Sequence, residues 1–477
     1  MKTIYPTCFA AVIIFIFVSG NLQAQVKAFE KTFGGTRADY GHSLARTADG
    51  GYILAGQTFS FQDTTSDTYI IKTDADGNQQ WAKTMGSDTL DGANSILQTS
   101  DGGYFITNHT EGYGAGDCDA WMCKTDASGN ILWNQTYGCP DDDVGYDAIE
   151  TSDHFLVACG VARTVDPSGD VFLAKYSLSG SVIWIKNYGG PGGQDGWRIK
   201  QAPDGGYVVA GNTTENASGP VDLFVFKTNS DGTLIWSNQY GGSGEEHAYG
   251  LCRASDGGYI ICGSSTSFGS GDEDVYMVKI DENGIQQWSR NYGGPKEDAA
   301  LGVTASDDGG YALTGYTKSF GDSMDAFIIK TDAFGNQQWM KNYGDNVFTK
   351  ECNWIVTCAD GGYAMIGSKL RIGSTDADLY FVKTDSEGNT ALNVTAIEDA
   401  NPRFIIYPDP AENSITLSFD NLVSNPEVMI YNAYGKLLFD GLNQRKINTE
   451  SLAAGVYFVT LHQDEKNYSQ RFIKIRE

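Results

Sequence analysis

A four-residue phrase, Asp-Gly-Gly-Tyr, recurs through this 477-residue chain at Asp49–Tyr52, Asp101–Tyr104, Asp204–Tyr207, Asp256–Tyr259, Asp308–Tyr311 and Asp360–Tyr363. A worn copy, Asp153–Leu156, fills the one gap, so the steps are 52, 52, 51, 52, 52 and 52 residues. Seven copies of one unit at this spacing mean a supersecondary structure stacked on itself, and every other motif has to be read against that repeat.

One unit reads as four strands. Taking the fifth, Gly250–Ser255 enters the Asp-Gly-Gly turn, where glycine supplies the positive φ. Tyr259–Gly263 leaves it, Asp274–Ile280 follows a polar loop, and Ile285–Tyr292 follows a second glycine turn at Asp281–Gly284. Gly is 58 of 477 residues and Pro only 11, as many short strands and glycine turns require. Four antiparallel strands make one propeller blade. The fourth strand carries Trp81, Trp133, Trp184, Trp236, Trp288 and Trp339, but the seventh unit stops before it. Phe29–Gly35 matches Trp288–Gly294 position for position, so the N-terminal end supplies the missing strand. The expectation is an all-β, seven-bladed β-propeller closed by its N-terminal strand. A small C-terminal β-sandwich of short alternating strands follows it.

The predicted boundaries are a signal peptide over 1–24, the propeller over 25–390, a linker over 391–403 and the last domain over 404–477. The first rests on Lys2, an apolar run from Cys8 to Val18 and a small residue at Ala24, too short a run to span a bilayer. Net charge is −27, which argues against a nucleic-acid partner. From Pro402 onwards there are 8 Lys+Arg and 9 Asp+Glu, so the excess acid belongs to the repeats. Export permits disulfides among the eight cysteines beyond residue 24. Cys252 and Cys262, flanking one turn, are candidates for a cross-hairpin bond or for buried free thiols.

The pattern Gly-Gly-Tyr, then Asp-x-aromatic-x-x-Lys, then Gly-x-x-x-Trp and Tyr-Gly-Gly resembles the repeats of bacterial secreted β-propeller proteins, over residues 26 to about 390. The resemblance implies a fold and an extracytoplasmic setting, and no reaction. The last domain resembles the C-terminal sorting domain of the type IX secretion system of Bacteroidetes. The residues that carry this are Tyr407, Pro408, Asp409 (usually Asn in the family) and Pro410, then Gly435 and Lys436, then Gly455 and Tyr457. It implies the type IX machinery as a partner, passage across the outer membrane, and a secreted or cell-surface product.

Internal recurrence also sorts candidate sites. Residues present in every unit serve every unit; a single site on a ring shows as departures. The third strand always opens on Asp (Asp67, Asp119, Asp170, Asp222, Asp274, Asp325, Asp378), with an aromatic two places on and Lys five places on. A loop-capping Asp, an interface aromatic and a pairing Lys are the plain reading. A second acidic set, Asp39, Asp91, Asp143, Asp195, Glu246 and Asp298, with Lys350 in seventh place, shares the same face. These are candidates for a hard cation such as Ca²⁺, or for loop hydrogen bonding. The departures cluster at the entry to the first strand: His42, Asn94, Tyr146, Trp197, Tyr249, Leu301 and Asn353, with Arg198, His247 and Trp354 nearby. Aromatics, Asn and carboxylates around a concave mouth suit sugar rings, so His42, Tyr146, Trp197, Tyr249, Asn353 and Trp354 are the ligand-binding candidates. No catalytic residue stands out: five His form no metal-spaced pair and no Gly-x-Ser-x-Gly elbow occurs. The expected function is an extracellular binding or adhesion module for glycan or protein. A polysaccharide-active enzyme on the same ring and a purely structural surface protein are the rivals.

Overall fold

The computed structural model describes residues 28–61, 65–215, 217–321, 323–345, 347–390, 404–408, 410–419, 427–432, 437–442, 444–463 and 466–475. The expected signal peptide and linker, and Asp409, Gly435 and Lys436 of the sorting motif, lie outside them. Every regular element among the described residues is a strand. They belong to two compact units, within 1–391 and within 392–477.

The first unit contains, among the described residues, seven four-stranded antiparallel sheets. The opening strand β1 (Phe29–Phe33) precedes the first whole sheet, formed in order by β2 (Asp39–Arg46), β3 (Tyr52–Thr58), β4 (Asp67–Thr73) and β5 (Gln79–Met85). Five more sheets repeat that order. The last consists of Phe348–Thr357, Tyr363–Arg371 and Ala377–Lys383, and β1 completes it, Phe29 lying opposite Lys383 and Phe33 opposite Leu379. The middle two strands of each sheet are almost wholly buried, because both of their faces meet neighbouring sheets. A hydrophobic layer fills each junction. Ile53 and Ile70 meet Ile96, Tyr104 and Trp121 between the first two sheets; Leu54 and Ile71 meet Ile366 and Phe381 between the last sheet and the first.

The organising motif has a definite chemistry. Its first glycine takes positive φ: 86° at Gly50, 85° at Gly102 and 91° at Gly257. Its second glycine lies against the carbonyl that follows the third-strand lysine: a Cβ at Gly51 would stand 2.1 Å from Thr73 O and 2.8 Å from Lys72 Nζ, and one at Gly310 2.0 Å from Thr331 O and 2.7 Å from Lys330 Nζ. The lysine in turn pairs with the motif's Asp, as in Lys124–Asp101 (3.0 Å), Lys279–Asp256 (2.9 Å) and Lys330–Asp308 (2.7 Å). The worn third copy shows the rule by breaking it. His154 holds φ 61° without being glycine, and Phe155 occupies the lysine's space. Lys175 is displaced to 3.8 Å from Asp153, with its Nζ 4.4 Å over the Phe155 ring.

The second unit has a three-stranded sheet (Phe404–Tyr407, Ser414–Phe419, Lys446–Asn448) and a four-stranded one (Leu437–Leu442, Glu427–Asn432, Gly455–Gln463, Lys466–Lys474). Phe404, Ile415, Leu417, Val428, Ile430, Val459 and Phe472 form one core between them. All eight described cysteines are free. Cys252 and Cys262 share a core layer without bonding, the buried-thiol alternative.

Candidate functional site

The first strand of each sheet carries a β-bulge, and the seven bulged residues are His42, Asn94, Tyr146, Trp197, Tyr249, Leu301 and Asn353. A bulged residue has no cross-strand partner, and the local kink re-aims its side chain. Here all seven line one cavity of about 400 Å³, together with Arg198 and Glu351. Five of the six proposed ligand-binding residues are thereby brought together.

The cavity has two unlike walls. On one, each polar bulge residue donates to the carbonyl just before the bulge of the next sheet. His42 Nδ1 reaches Ala93 O at 2.8 Å, Asn94 Nδ2 reaches Gly145 O at 2.9 Å, and Asn353 Nδ2 reaches Gly41 O at 2.8 Å. A carbonyl partner requires the proton on Nδ1 of His42. Burial, with Arg198 opposite, lowers the His42 pKa, so the ring is neutral and Nε2 is left as an acceptor. The other wall is aromatic. Tyr146 stacks on Trp197 with centroids 4.4 Å apart at 10°, Tyr249 meets Trp197 edge-on at 5.4 Å and 88°, and His247 stacks on Tyr249 at 6.0 Å.

The next residue along each first strand is Ser43, Ser95, Asp147, Arg198, Gly250, Gly302 or Trp354. The Arg198 guanidinium carbon lies 4.5 Å over the Trp354 ring, and its Nη1 donates to Trp197 O at 2.9 Å. Trp354, expected at the mouth, instead lines a smaller cavity of about 160 Å³ on the other side of Arg198, with Lys200 and Cys252. The bulge accounts for the error: it turns Asn353 towards the large cavity and the following residue away.

Glu351 was not foreseen. It lines the large cavity, burial raises its pKa, and it makes no hydrogen bond or ion pair to a described residue. The available signal was its neighbour Lys350, the one place where the acidic series turns basic.

That acidic series is a set of loop clamps. Asp39 accepts from Gly35 N (2.8 Å) and Ser60 Oγ (2.7 Å), Asp91 from Ser87 N (2.5 Å), and Asp143 from Cys139 N (2.6 Å) and Arg163 N (2.6 Å). Glu246 accepts from Gly242 N (2.6 Å) and Asp298 from Gly294 N (2.8 Å). Among the described residues, no group of three or more His, Cys, Asp or Glu is placed to hold a metal ion. One member is corrected. The fourth place belongs to Gln194, whose Oε1 accepts from Gly190 N at 3.0 Å and which pairs with Thr213 as Asp39 pairs with Thr58. Asp195 lies one residue on, in a separate cavity of about 260 Å³ with His247 and Asn212. Its carboxyl is buried, which raises its pKa, and it accepts from Asn212 N at 2.8 Å.

In the second unit Tyr407 ends the first strand and is half exposed, with Pro408 and Pro410 just beyond it. Gly455 opens the strand Gly455–Gln463, and Tyr457 donates to Ala453 O at 2.7 Å and stacks on Phe472.

This architecture is that of an all-β repeat protein with a second β unit, and comparison with known proteins matches a stretch of each unit to a family model. Residues 405–475 match the Secretion system C-terminal sorting domain, and residues 202–234 match a domain of unknown function described as a DUF5122 beta-propeller. The chain therefore carries a type IX sorting domain and a β-propeller domain, and it is a secreted or cell-surface protein. Regulatory protein FlaEY of Caulobacter vibrioides is 24% identical over 229 residues, which cover 43% of this chain and only 24% of that protein. The Pan2 WD40 domain of Neurospora crassa is similar at 11% identity with a TM-score of 0.45, over 73% of this chain and 97% of that one. The extracellular domain of a hybrid two-component system from B. thetaiotaomicron is similar at 14% identity with a TM-score of 0.43, over 93% of this chain and 60% of that one.

Proposed function

We propose that the seven sheets close into one seven-bladed ring over residues 25–390, that residues 404–477 form the sorting β-sandwich, and that 1–24 and 391–403 are signal peptide and linker. The hydrophobic layer joining the last sheet to the first supports the closure. On this ring the protein is an extracellular binding module, and the axial cavity takes a sugar ring. The observation that carries this reading is the convergence of seven non-repeating residues, one per sheet, on one cavity with an aromatic wall. An evenly repeated structural rim would have no reason to place His, Asn, Tyr, Trp and Leu at equivalent positions. Glycosidic cleavage by paired carboxyls is less well served, because Glu351 is the one carboxyl among the described lining residues.

The test is a glycan-array screen of the exported protein with a Tyr249→Ala variant alongside. The reading predicts binding that this variant reduces at least tenfold. A blank array, or binding that Tyr249→Ala leaves untouched, overturns it.

A further inference from the structure

The axial cavity is less acidic than the chain around it. The protein carries −27 overall, yet the cavity lining sets one cation, Arg198, beside one carboxyl, Glu351. A guanidinium has five N–H donors, and the half-buried one of Arg198 lines the cavity with few of them met by protein. Among the described residues Arg198 forms one hydrogen bond, to Trp197 O, and lies flat on Trp354; no carboxylate reaches ion-pair distance. The carboxylate that influences it from nearby, Asp147, is occupied elsewhere. Its Oδ1 accepts from Ser95 Oγ at 2.9 Å and Ala148 N at 2.8 Å, and its Oδ2 accepts from Ile199 N at 3.1 Å, with Lys200 Nζ 3.8 Å away.

The remaining polar groups narrow the ligand further. The His42 N–H and one N–H each of Asn94 and Asn353 are committed to neighbouring carbonyls, which leaves the guanidinium as the largest source of free N–H groups. Glu351, unpaired on the same lining, disfavours a doubly charged group and suits a hydroxyl. A planar monoanion accepting two parallel N–H bonds fits a guanidinium edge best.

We propose that the axial cavity recognises an acidic sugar, a hexuronic acid whose carboxylate lies on the free edge of Arg198 and whose ring lies along Tyr146, Trp197 and Tyr249. This rests on the sugar-binding reading above and goes beyond it in fixing the charge of the ligand.

The experiment is isothermal titration of the wild-type protein with galacturonic and glucuronic acid and their trisaccharides, against galactose, glucose and neutral trisaccharides. At least tenfold preference for an acidic sugar is expected. Arg198→Gln should bring the acidic sugar down to the level of its neutral counterpart, and Arg198→Lys should restore part of the difference. Equal binding of acidic and neutral sugars overturns the charge assignment while leaving sugar binding intact. Binding of neither overturns both. The wild-type comparison decides the matter even where Arg198→Gln fails to fold.

Discussion

The lysine–aspartate clasp at the repeated turn makes a quantitative prediction with a control inside the same molecule. Lys124 is fully buried and donates to Thr125 O at 2.9 Å and to Asp101 Oδ1 at 3.0 Å, while the Asp101 side chain is 42% exposed. Asp101→Asn removes the counter-charge and leaves an ammonium in the core. Orphaning one partner of a fully buried pair costs about 3–5 kcal/mol. Water can replace part of a half-exposed carboxylate, which brings the expectation to about 2 kcal/mol. Adding Lys124→Met removes the orphaned charge, so the double variant should recover roughly 1 kcal/mol over Asp101→Asn alone. In the third sheet the same substitution, Asp153→Asn, should cost below about 0.5 kcal/mol. There Lys175 already stands 3.8 Å from Asp153 and donates instead to Tyr207 Oη at 3.1 Å. Equilibrium urea unfolding of the three variants and the wild type reads all of this. Equal costs for Asp101→Asn and Asp153→Asn, or a double variant less stable than Asp101→Asn, would refute the clasp.

Acid should act on stability in two opposite steps. Burial pushes the Asp49 carboxyl up, but the bonds from Lys72, Thr47 and Gly51 N outweigh it and hold it at about 2. A lowered carboxyl stabilises above its unfolded value of about 3.9, and that stability is lost as the pH falls from there through about 2. Burial raises Asp143, Asp170, Asp378 and Glu351, whose neutral-pH cost disappears as they take up protons. A melting series should therefore rise slightly from pH 7 towards about 5 and drop steeply between about 4 and 2. A monotonic fall from pH 7 would contradict this balance. His154→Gly should stabilise by about 0.5–1 kcal/mol, because it relieves a left-handed residue at a place where the six other copies have glycine with φ between 79° and 91°. The lost bond to Glu150, on an exposed ring, offsets little of that. Denaturation of that variant checks it, and a loss of stability would show that the Glu150 and Ser100 contacts matter more than the backbone.

The repeat was legible because six of its seven copies keep the residues its turn demands: a positive-φ glycine and a lysine with its Asp. The position of the site was legible for the opposite reason, since His42, Asn94, Tyr146, Trp197, Tyr249, Leu301 and Asn353 depart from the pattern at equivalent places. What spacing alone does not convey is the bulge. It inserts one unpaired residue without changing the 52-residue step, so Trp354 falls on the far side of Arg198 and not in the mouth. Similarly, the 51-residue step in the third unit shifts the acidic series by one, so that Gln194 and not Asp195 fills its fourth place. Glu351 was invisible because nothing in one chain marks a carboxyl as unpartnered until its neighbours are known.

The seven bulged residues line one cavity, and the most direct measurement fills it. Leu301→Trp adds bulk to a half-buried lining position that makes no hydrogen bond. Binding of the best array ligand should fall at least tenfold while the unfolding midpoint stays close to that of the wild type. Undiminished binding with the cavity filled would place the ligand elsewhere on the ring and contradict the account.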